Sequence, residues 1–500
     1  MPQDKEKKPI NCNLPNAGGF MSGIFGVVSE KNCAETLVYG TDYNTHMGTE
    51  YGGIAVYGTE FKRYIHKMSS ANFKTRFFEN IKDINGRQGI GVVSDLDEQP
   101  IYLKSKLGEF CIVSTGKIAN LDILAKEMMN EGICFGEVSK TVVNATELLA
   151  RIIATGDDIK DGIEKMYKRI KGSASVLLLT SGGIYCARDN CARSTLVLGR
   201  KAGSWAVCSE TTSLPNLDFE PIRDLKPGEI VFIDSANLEC KVLNPGNGRK
   251  QVCAFLWMYT GFPASNYEGI NAEVAREESG KLLAKRDKDL KADLVVGVPD
   301  SGLAHAIGYA MESKLPLRRP LVKYTPTYGR SYTPPSQTTR DITARMKLIA
   351  IKEIIHDNII VLLEDSIVRG TQLKNVTVEK FWKAGAKELH VRPACPPLLF
   401  PCLYSTSTRT NSELVTRRAI VSIEGKDIED VSEYTDPSTE KYARMIEWIR
   451  KDLNVTSLKF QTIEDMVSAI GLPRKDLCLH CWLGCSNCGG KGEQNGCKAR

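Results

Sequence analysis

Apolar and polar positions alternate on two different periods along this chain. Over its first half, apolar residues come in short runs bounded by turn residues: 22–28, 48–56, 89–93, 110–115, 173–180, 195–199, 205–209 and 229–234. Runs of this length, bounded in this way, are strand signals. Helical periodicity shows only at 33–46, 120–131 and 146–155. Many short strands with a few helices predict an α+β sandwich. Pro227-Gly228 reads as a hairpin turn ahead of the strand at 229–234.

Beyond Asn244-Pro245-Gly246-Asn247-Gly248, a linker by composition, the pattern changes. A charged helix at 271–290 precedes a strand at 293–298. Further strands fall at 321–323, 359–363 and 388–392, with helices from Leu303 and over 373–384. Strand and helix in alternation predict a parallel sheet covered on both faces. The expected organisation is an extension at 1–21, a first domain at 22–243, a second at 251–410, and a C-terminal helical region at 411–500 with a cysteine-rich tail. Within that last region 427–441 reads as a surface excursion.

Composition narrows the class. A chain of 500 residues exceeds one core. Its 42% apolar content is that of a globular protein. The net charge of +6 is too mild to argue for nucleic acid and suits a polyphosphate site. No apolar run approaches the length of a membrane span. Residues 1–21 carry Lys5, Lys7 and Lys8 without a secretory apolar stretch, so a cytoplasmic protein is expected. Sixteen cysteines in that setting suggest metal or cluster ligands more than disulfides.

The candidate chemistry centres on 359–372. Five apolar residues end at Glu364 and Asp365, and Ser366, Arg369, Gly370 and Thr371 follow before a helical pattern. Such a turn offers backbone N–H groups and hydroxyls to a phosphate. The two acids suit ribose hydroxyls or Mg²⁺. A second strand–turn–helix anion site is Asp300-Ser301-Gly302. The stretch 324–340, rich in Gly, Pro, Ser, Thr and Tyr, reads as a long loop, of a length that is usually functional or disordered, and includes Arg330. Arg345 and Lys347 are candidate phosphate ligands by charge. Near the end, Cys478, Cys481, Cys485 and Cys488 have spacing that suits Zn²⁺ or an iron–sulfur cluster.

The wording Glu364-Asp365-Ser366-Ile367-Val368-Arg369-Gly370-Thr371 resembles the signature of the type I phosphoribosyltransferases, and most closely that of the amidophosphoribosyltransferases. The resemblance runs from Cys253 to about Tyr404. It implies a reaction of purine biosynthesis: an amine displaces pyrophosphate from C1 of phosphoribosyl pyrophosphate, giving phosphoribosylamine. In that reading Asp300, Ser301 and Gly302 bind pyrophosphate and 324–340 closes as a lid. Arg330, Arg345, Lys347, Ser366, Arg369, Gly370 and Thr371 bind substrate. Mg²⁺ lies near Ser301, Glu364 and Asp365, and the two acids are catalytic. Glu364 stands where the family usually has aspartate. One branch of the family holds a [4Fe–4S] cluster, and its ligand positions here are Cys253, Cys402, Cys478 and Cys481. Zn²⁺ is the alternative.

Residues 22–234 are similar to the class II glutamine amidotransferases, through Ser22-Gly-Ile-Phe-Gly, Ala187-Arg188-Asp189, Ser209-Glu210 and Leu225-Lys-Pro-Gly-Glu-Ile-Val. The fold implied is an α+β N-terminal-nucleophile sandwich followed by an α/β type I phosphoribosyltransferase domain. The catalytic positions depart. Ser22 replaces the nucleophilic cysteine, and exposing it would need cleavage after Met21. Val92-Val93-Ser94 replaces a His-x-Arg whose arginine holds glutamine's carboxylate. Ser114-Thr115-Gly116 replaces His-Asn-Gly of the oxyanion hole, and Ala145 replaces an aspartate for the glutamine amine. Glutamine hydrolysis is expected to be lost, with ammonia or another amine as the donor. The competing expectation is a regulatory pseudoenzyme that binds phosphoribosyl pyrophosphate or nucleotides. Nucleotide regulators and a homo-oligomer are expected; nucleic acid and membrane partners are not.

Overall fold

The computed structural model describes residues 22–68, 72–79, 81–139, 142–324, 348–404, 408 and 410–484. The first half is two antiparallel sheets packed face to face. One has the strand order Glu220–Asp224, Val197–Lys201, Ser204–Cys208, Gly23–Ser29, Gln88–Ser94, Tyr51–Tyr57, Phe61–Lys67. The other runs Cys240–Asn244, Ile230–Asp234, Gly183–Ala187, Gly172–Thr180, Gly108–Ile118, Ile101–Ser105.

The strand Gly23–Ser29 shows why this half reads as short apolar runs. Ile24 and Val28 point into the core between the sheets, with Val113, Leu177 and Ile184. Phe25 and Val27 point the other way, under the helix Ala34–Asp42. Both faces are covered, so the alternation of a half-exposed strand disappears. The helices Leu121–Asn130, Ala145–Ile153 and Ile159–Arg169 cover the outer face of the second sheet. The Pro227-Gly228 turn is not a hairpin. The strand before it belongs to one sheet and the strand after it to the other, so the turn carries the chain across the sandwich. Gly228, at φ 72°, donates its N–H to the Asp189 carbonyl at 3.1 Å.

The second half is built on a parallel sheet in the order Leu294–Gly297, Ile359–Glu364, Glu388–Pro393, Ser457–Leu458. Ile360 and Leu362 face one helical layer, with Phe381, Ala419 and Ile449. Val361 and Leu363 face the other, with Leu283, Ala306 and Tyr309. Each of these four side chains is fully buried, and each such burial stabilises the fold by roughly 1.5–3 kcal/mol. The sheet therefore has helices on both faces. Its fourth strand and the helices Val415–Glu424 and Glu440–Leu453 come from beyond residue 410. Residues 427–441 are not a surface excursion as a whole. Val431 and Tyr434 close this core, and the Tyr434 hydroxyl donates to Glu424 at 2.7 Å.

A third packed region joins the start of the second half to residues 477–482. Val252–Cys253 pairs in parallel with Leu477–Cys478, placing Cys253 opposite Cys478. Phe255 stacks on Trp482 at 4.8 Å.

Candidate functional site

Two strands of the parallel sheet end side by side, with Gly297 opposite Leu363. The crevice beyond such ends is where open α/β sheets bind ligands. Val298 donates to the Leu363 carbonyl at 3.0 Å, which ties the Asp300-Ser301-Gly302 turn to the strand carrying Glu364. Gly302 is required by space: a Cβ there would lie 2.4 Å from the Leu363 carbonyl oxygen. The helix Leu303–Ser313 opens directly after it.

Glu364 and Asp365 are both buried at this mouth. The Ser301 hydroxyl donates to Glu364 Oε1 at 3.3 Å, and the Asp365 N–H donates to the same oxygen at 3.2 Å. The Ser366 hydroxyl donates to Asp365 Oδ2 at 2.5 Å. Burial, and then the neighbouring Asp365, push the Glu364 carboxyl well above the usual carboxylate range. A buried pair of this kind is suited to a cation or to sugar hydroxyls. Arg276 supplies charge from behind. It is buried, donates to the carbonyls of Trp257 at 2.6 Å and Gly261 at 2.7 Å, and interacts electrostatically with Asp365.

Asp300 is exposed and pairs with Lys323 at 2.6 Å. Arg369 pairs with Glu413 at 2.5 Å, and its carbonyl accepts from Arg418 at 2.6 Å. Gly370 takes φ 74°, a conformation that favours glycine, just before Thr371 and the helical turn Leu373–Val378. Arg330, Arg345, Lys347 and nearly all of the 324–340 loop lie outside the described residues, as do Cys485 and Cys488.

In the first half, Ser22 is buried at the head of its strand. Gly23 pairs with Val93, so Ser94 stands one step beyond, next to Ser22. The Ser94 hydroxyl accepts the N–H groups of Leu96 and Asp97, both at 3.2 Å, and caps a turn. Ser114 shares a hydrogen bond of 2.7 Å with Thr146. Ala145 begins the helix Ala145–Ile153 and donates its N–H to Asp97 Oδ2 at 3.3 Å. Burial pushes the Asp97 carboxyl up to about 6. Ser94 and Ala145 thus both contact Asp97, one through its backbone N–H and one through its carboxyl.

The two halves meet at Glu210, which lies beyond the strand Ser204–Cys208. This buried carboxylate accepts the Tyr267 hydroxyl at 2.5 Å, the Ser265 hydroxyl at 3.3 Å and the Phe262 N–H at 3.3 Å. His46 Nε2 lies 3.0 Å away. Asn266 donates to the Thr211 hydroxyl at 2.8 Å. Glu210 was legible only as part of a motif. Its partners lie more than fifty residues along the chain, and no local pattern marks Tyr267 or Arg276.

Cys253, Cys402, Cys478 and Cys481 are all buried in one cluster, and none forms a disulfide. The Cys402 and Cys481 thiols are hydrogen-bonded to each other, which with burial raises Cys481 above the usual thiol range. Backbone N–H groups point at the sulfurs: Tyr404 at Cys402, at 3.3 Å, His480 at Cys478, and Phe255 and Leu256 at Cys253. Among the described residues no group of three or more His, Cys, Asp or Glu side chains stands in metal-ligand geometry. These four are gathered by burial and thiol contact. Their donor chemistry, four sulfurs with N–H groups directed at three of them, fits a thiolate-bound centre.

Comparison with known proteins adds to this geometry. A glutamine amidotransferase domain family matches residues 86–216. The amidophosphoribosyltransferase of Methanocaldococcus jannaschii is 31% identical over 490 residues, covering 93% of this chain and 97% of that protein. The amidophosphoribosyltransferase of Archaeoglobus fulgidus is 33% identical over 407 residues, covering 79% and 87%. Among solved structures, the glutamine phosphoribosylpyrophosphate amidotransferase from B. subtilis complexed with ADP and GMP superposes with a TM-score of 0.78 at 28% identity, over 93% of this chain and 97% of that one.

Proposed function

The chain belongs to the amidophosphoribosyltransferase family, and we propose that it makes phosphoribosylamine from phosphoribosyl pyrophosphate and free ammonia, its glutamine-hydrolysing half having lost that reaction. The observation that carries this reading is the contrast between two sites in one chain. Around Ser22, the groups that would hold glutamine are replaced by Ser94 and Ala145, and Asp97 adds a carboxyl beside them. At the sheet mouth, Glu364, Asp365 and Ser301 remain assembled.

Each missing clamp on glutamine or its transition state removes roughly 2–4 kcal/mol, not strictly additively. Asp97 works in the same direction, since a carboxylate near the Ser94 position repels that of glutamine. In the C-terminal half, Asp300-Ser301-Gly302 would seat the pyrophosphate on the N-terminus of Leu303–Ser313. Ser366, Arg369, Gly370 and Thr371 would seat the 5-phosphate, with Arg330, Arg345 and Lys347 as further phosphate ligands. Ser301, Glu364 and Asp365 would hold Mg²⁺, which when bound neutralises charge on the leaving pyrophosphate. Glu364 and Asp365 would also face the ribose and support positive charge developing at C1. Arg276 favours the charged form of Asp365 electrostatically. The attacking nitrogen must be neutral, so only the unprotonated fraction of ammonium reacts.

Cys253, Cys402, Cys478 and Cys481 would hold a [4Fe–4S] cluster, with Zn²⁺ as the second candidate. When bound, such a group adds covalent links between the start of the second half and the chain's end. The B. subtilis relative's complex with ADP and GMP supports nucleotide regulation of this chain, and a homo-oligomer in the cytoplasm is the expected setting.

A regulatory protein that binds phosphoribosyl pyrophosphate without reacting it is the second reading, favoured by the tolerated losses around Ser22. One assay separates the two. With phosphoribosyl pyrophosphate, Mg²⁺ and ammonium at alkaline pH, pyrophosphate release should exceed that of Asp365→Asn by at least about a hundredfold. Equal release from both, with ligand binding intact, favours the regulatory reading.

A further inference from the structure

Arg193 belongs to the first half, in the loop between the strands Gly183–Ala187 and Val197–Lys201. It is only 3% exposed, and its guanidinium lies beside Cys478 of the second half. Its Cζ sits 3.4 Å from the centre of the Tyr404 ring, two residues beyond Cys402. It hydrogen-bonds the Cys478 thiol. Its carbonyl accepts the Cys253 N–H at 3.3 Å, so one residue touches both members of the Cys253–Cys478 pair. The nearby acid, Asp189, accepts the backbone N–H groups of Cys191 and Arg193. His480 faces the same space, edge-on to Tyr404 at 5.5 Å.

A buried guanidinium is costly unless it faces negative charge. Asp189 balances part of the guanidinium's charge from the first half, and the Gly172 carbonyl accepts from Nη1 at 3.4 Å; on the side of the cysteines, four neutral thiols offer no charge, whereas thiolates bound to a metal or cluster do. We propose that Arg193 is the counter-cation of the four-cysteine centre, reaching across from the first half to hold thiolate charge on Cys478. This rests on the reading of these cysteines as cluster ligands. Arg193 is a positioning residue: it touches the ligands, not the substrate.

The test uses the full chain, reconstituted anaerobically with iron and sulfide, as wild type, Arg193→Lys and Arg193→Met. Methionine keeps much of the volume over Tyr404 and removes the charge. Iron loss to a chelator should be about tenfold faster in Arg193→Met, as for the loss of one hydrogen bond to a charged group, with Arg193→Lys in between. The reduction potential should fall in the same order, because a nearby cation favours the reduced, more negative state. The metal-free Arg193→Met chain should melt no lower than metal-free wild type, which separates charge balance from plain packing. Equal iron loss in all three proteins, or equal weakening with and without metal, would overturn the inference alone. If Arg193→Met fails to fold, Arg193→Lys decides: slower loss than from Arg193→Gln supports the charge, and identical loss overturns it. A wild-type chain that takes up no iron and sulfide would overturn the cluster reading and this inference together.

Discussion

At the scale of single residues, the two sites differ in what a carboxyl is doing. Glu364 and Asp365 are adjacent in sequence, at the end of an apolar run, so their placement at a strand end was legible from the chain alone. Asp97 was not. Its meaning depends on the helix that begins at Ala145, forty-eight positions on, and on burial that no local pattern announces. Its carboxyl is pushed up to about 6 by burial. An acid whose folded pKa exceeds its unfolded one binds more protons when folded, so stability falls as pH rises from about 4 through 6. Asp97→Asn should therefore stabilise the chain by about 2 kcal/mol at pH 7 and change little at pH 4. Urea unfolding at the two pH values measures this. An equal effect at both would show that charge is not the cause.

At the scale of elements, the strands were legible because each face of every central strand is covered. The same covering hid the direction of one connection. Pro227-Gly228 has the composition of a hairpin, but only the packing of two sheets tells that it crosses between them. The fourth strand of the parallel sheet, Ser457–Leu458, is too short to show a period. The turn at Asp300-Ser301-Gly302 gives the clearest test of an element. Gly302 lets the helix start press against the neighbouring strand, and a Cβ would meet the Leu363 carbonyl at 2.4 Å. Gly302→Ala should cost about 2 kcal/mol of stability and push the turn away from Glu364. Affinity for phosphoribosyl pyrophosphate, followed by calorimetry, should drop with it. Unchanged affinity would argue that the turn does not hold the pyrophosphate.

At the scale of the whole molecule, the halves are held together by buried polar and sulfur groups drawn from distant parts of the chain. Glu210 and Tyr267 meet at one junction, and Arg193 and the cysteines at another. The cysteine set was legible through its resemblance to a family; Arg193 and Tyr267 were not, because only the packing of the halves brings them there. Tyr267→Phe leaves Glu210 short of a donor and should lower stability by about 2 kcal/mol. It should also separate unfolding of the two halves, seen as two transitions in a thermal melt.

The central claim is that one half of this chain still transfers an amine while the other no longer releases it from glutamine. The direct measurement is pyrophosphate release from phosphoribosyl pyrophosphate and Mg²⁺, with glutamine in one arm and ammonium across a rising pH series in the other. The expected result is release with ammonium that climbs with pH, and release with glutamine no greater than with no nitrogen donor. Glutamine supporting release at a rate comparable to ammonium, with glutamate formed in step, would contradict it.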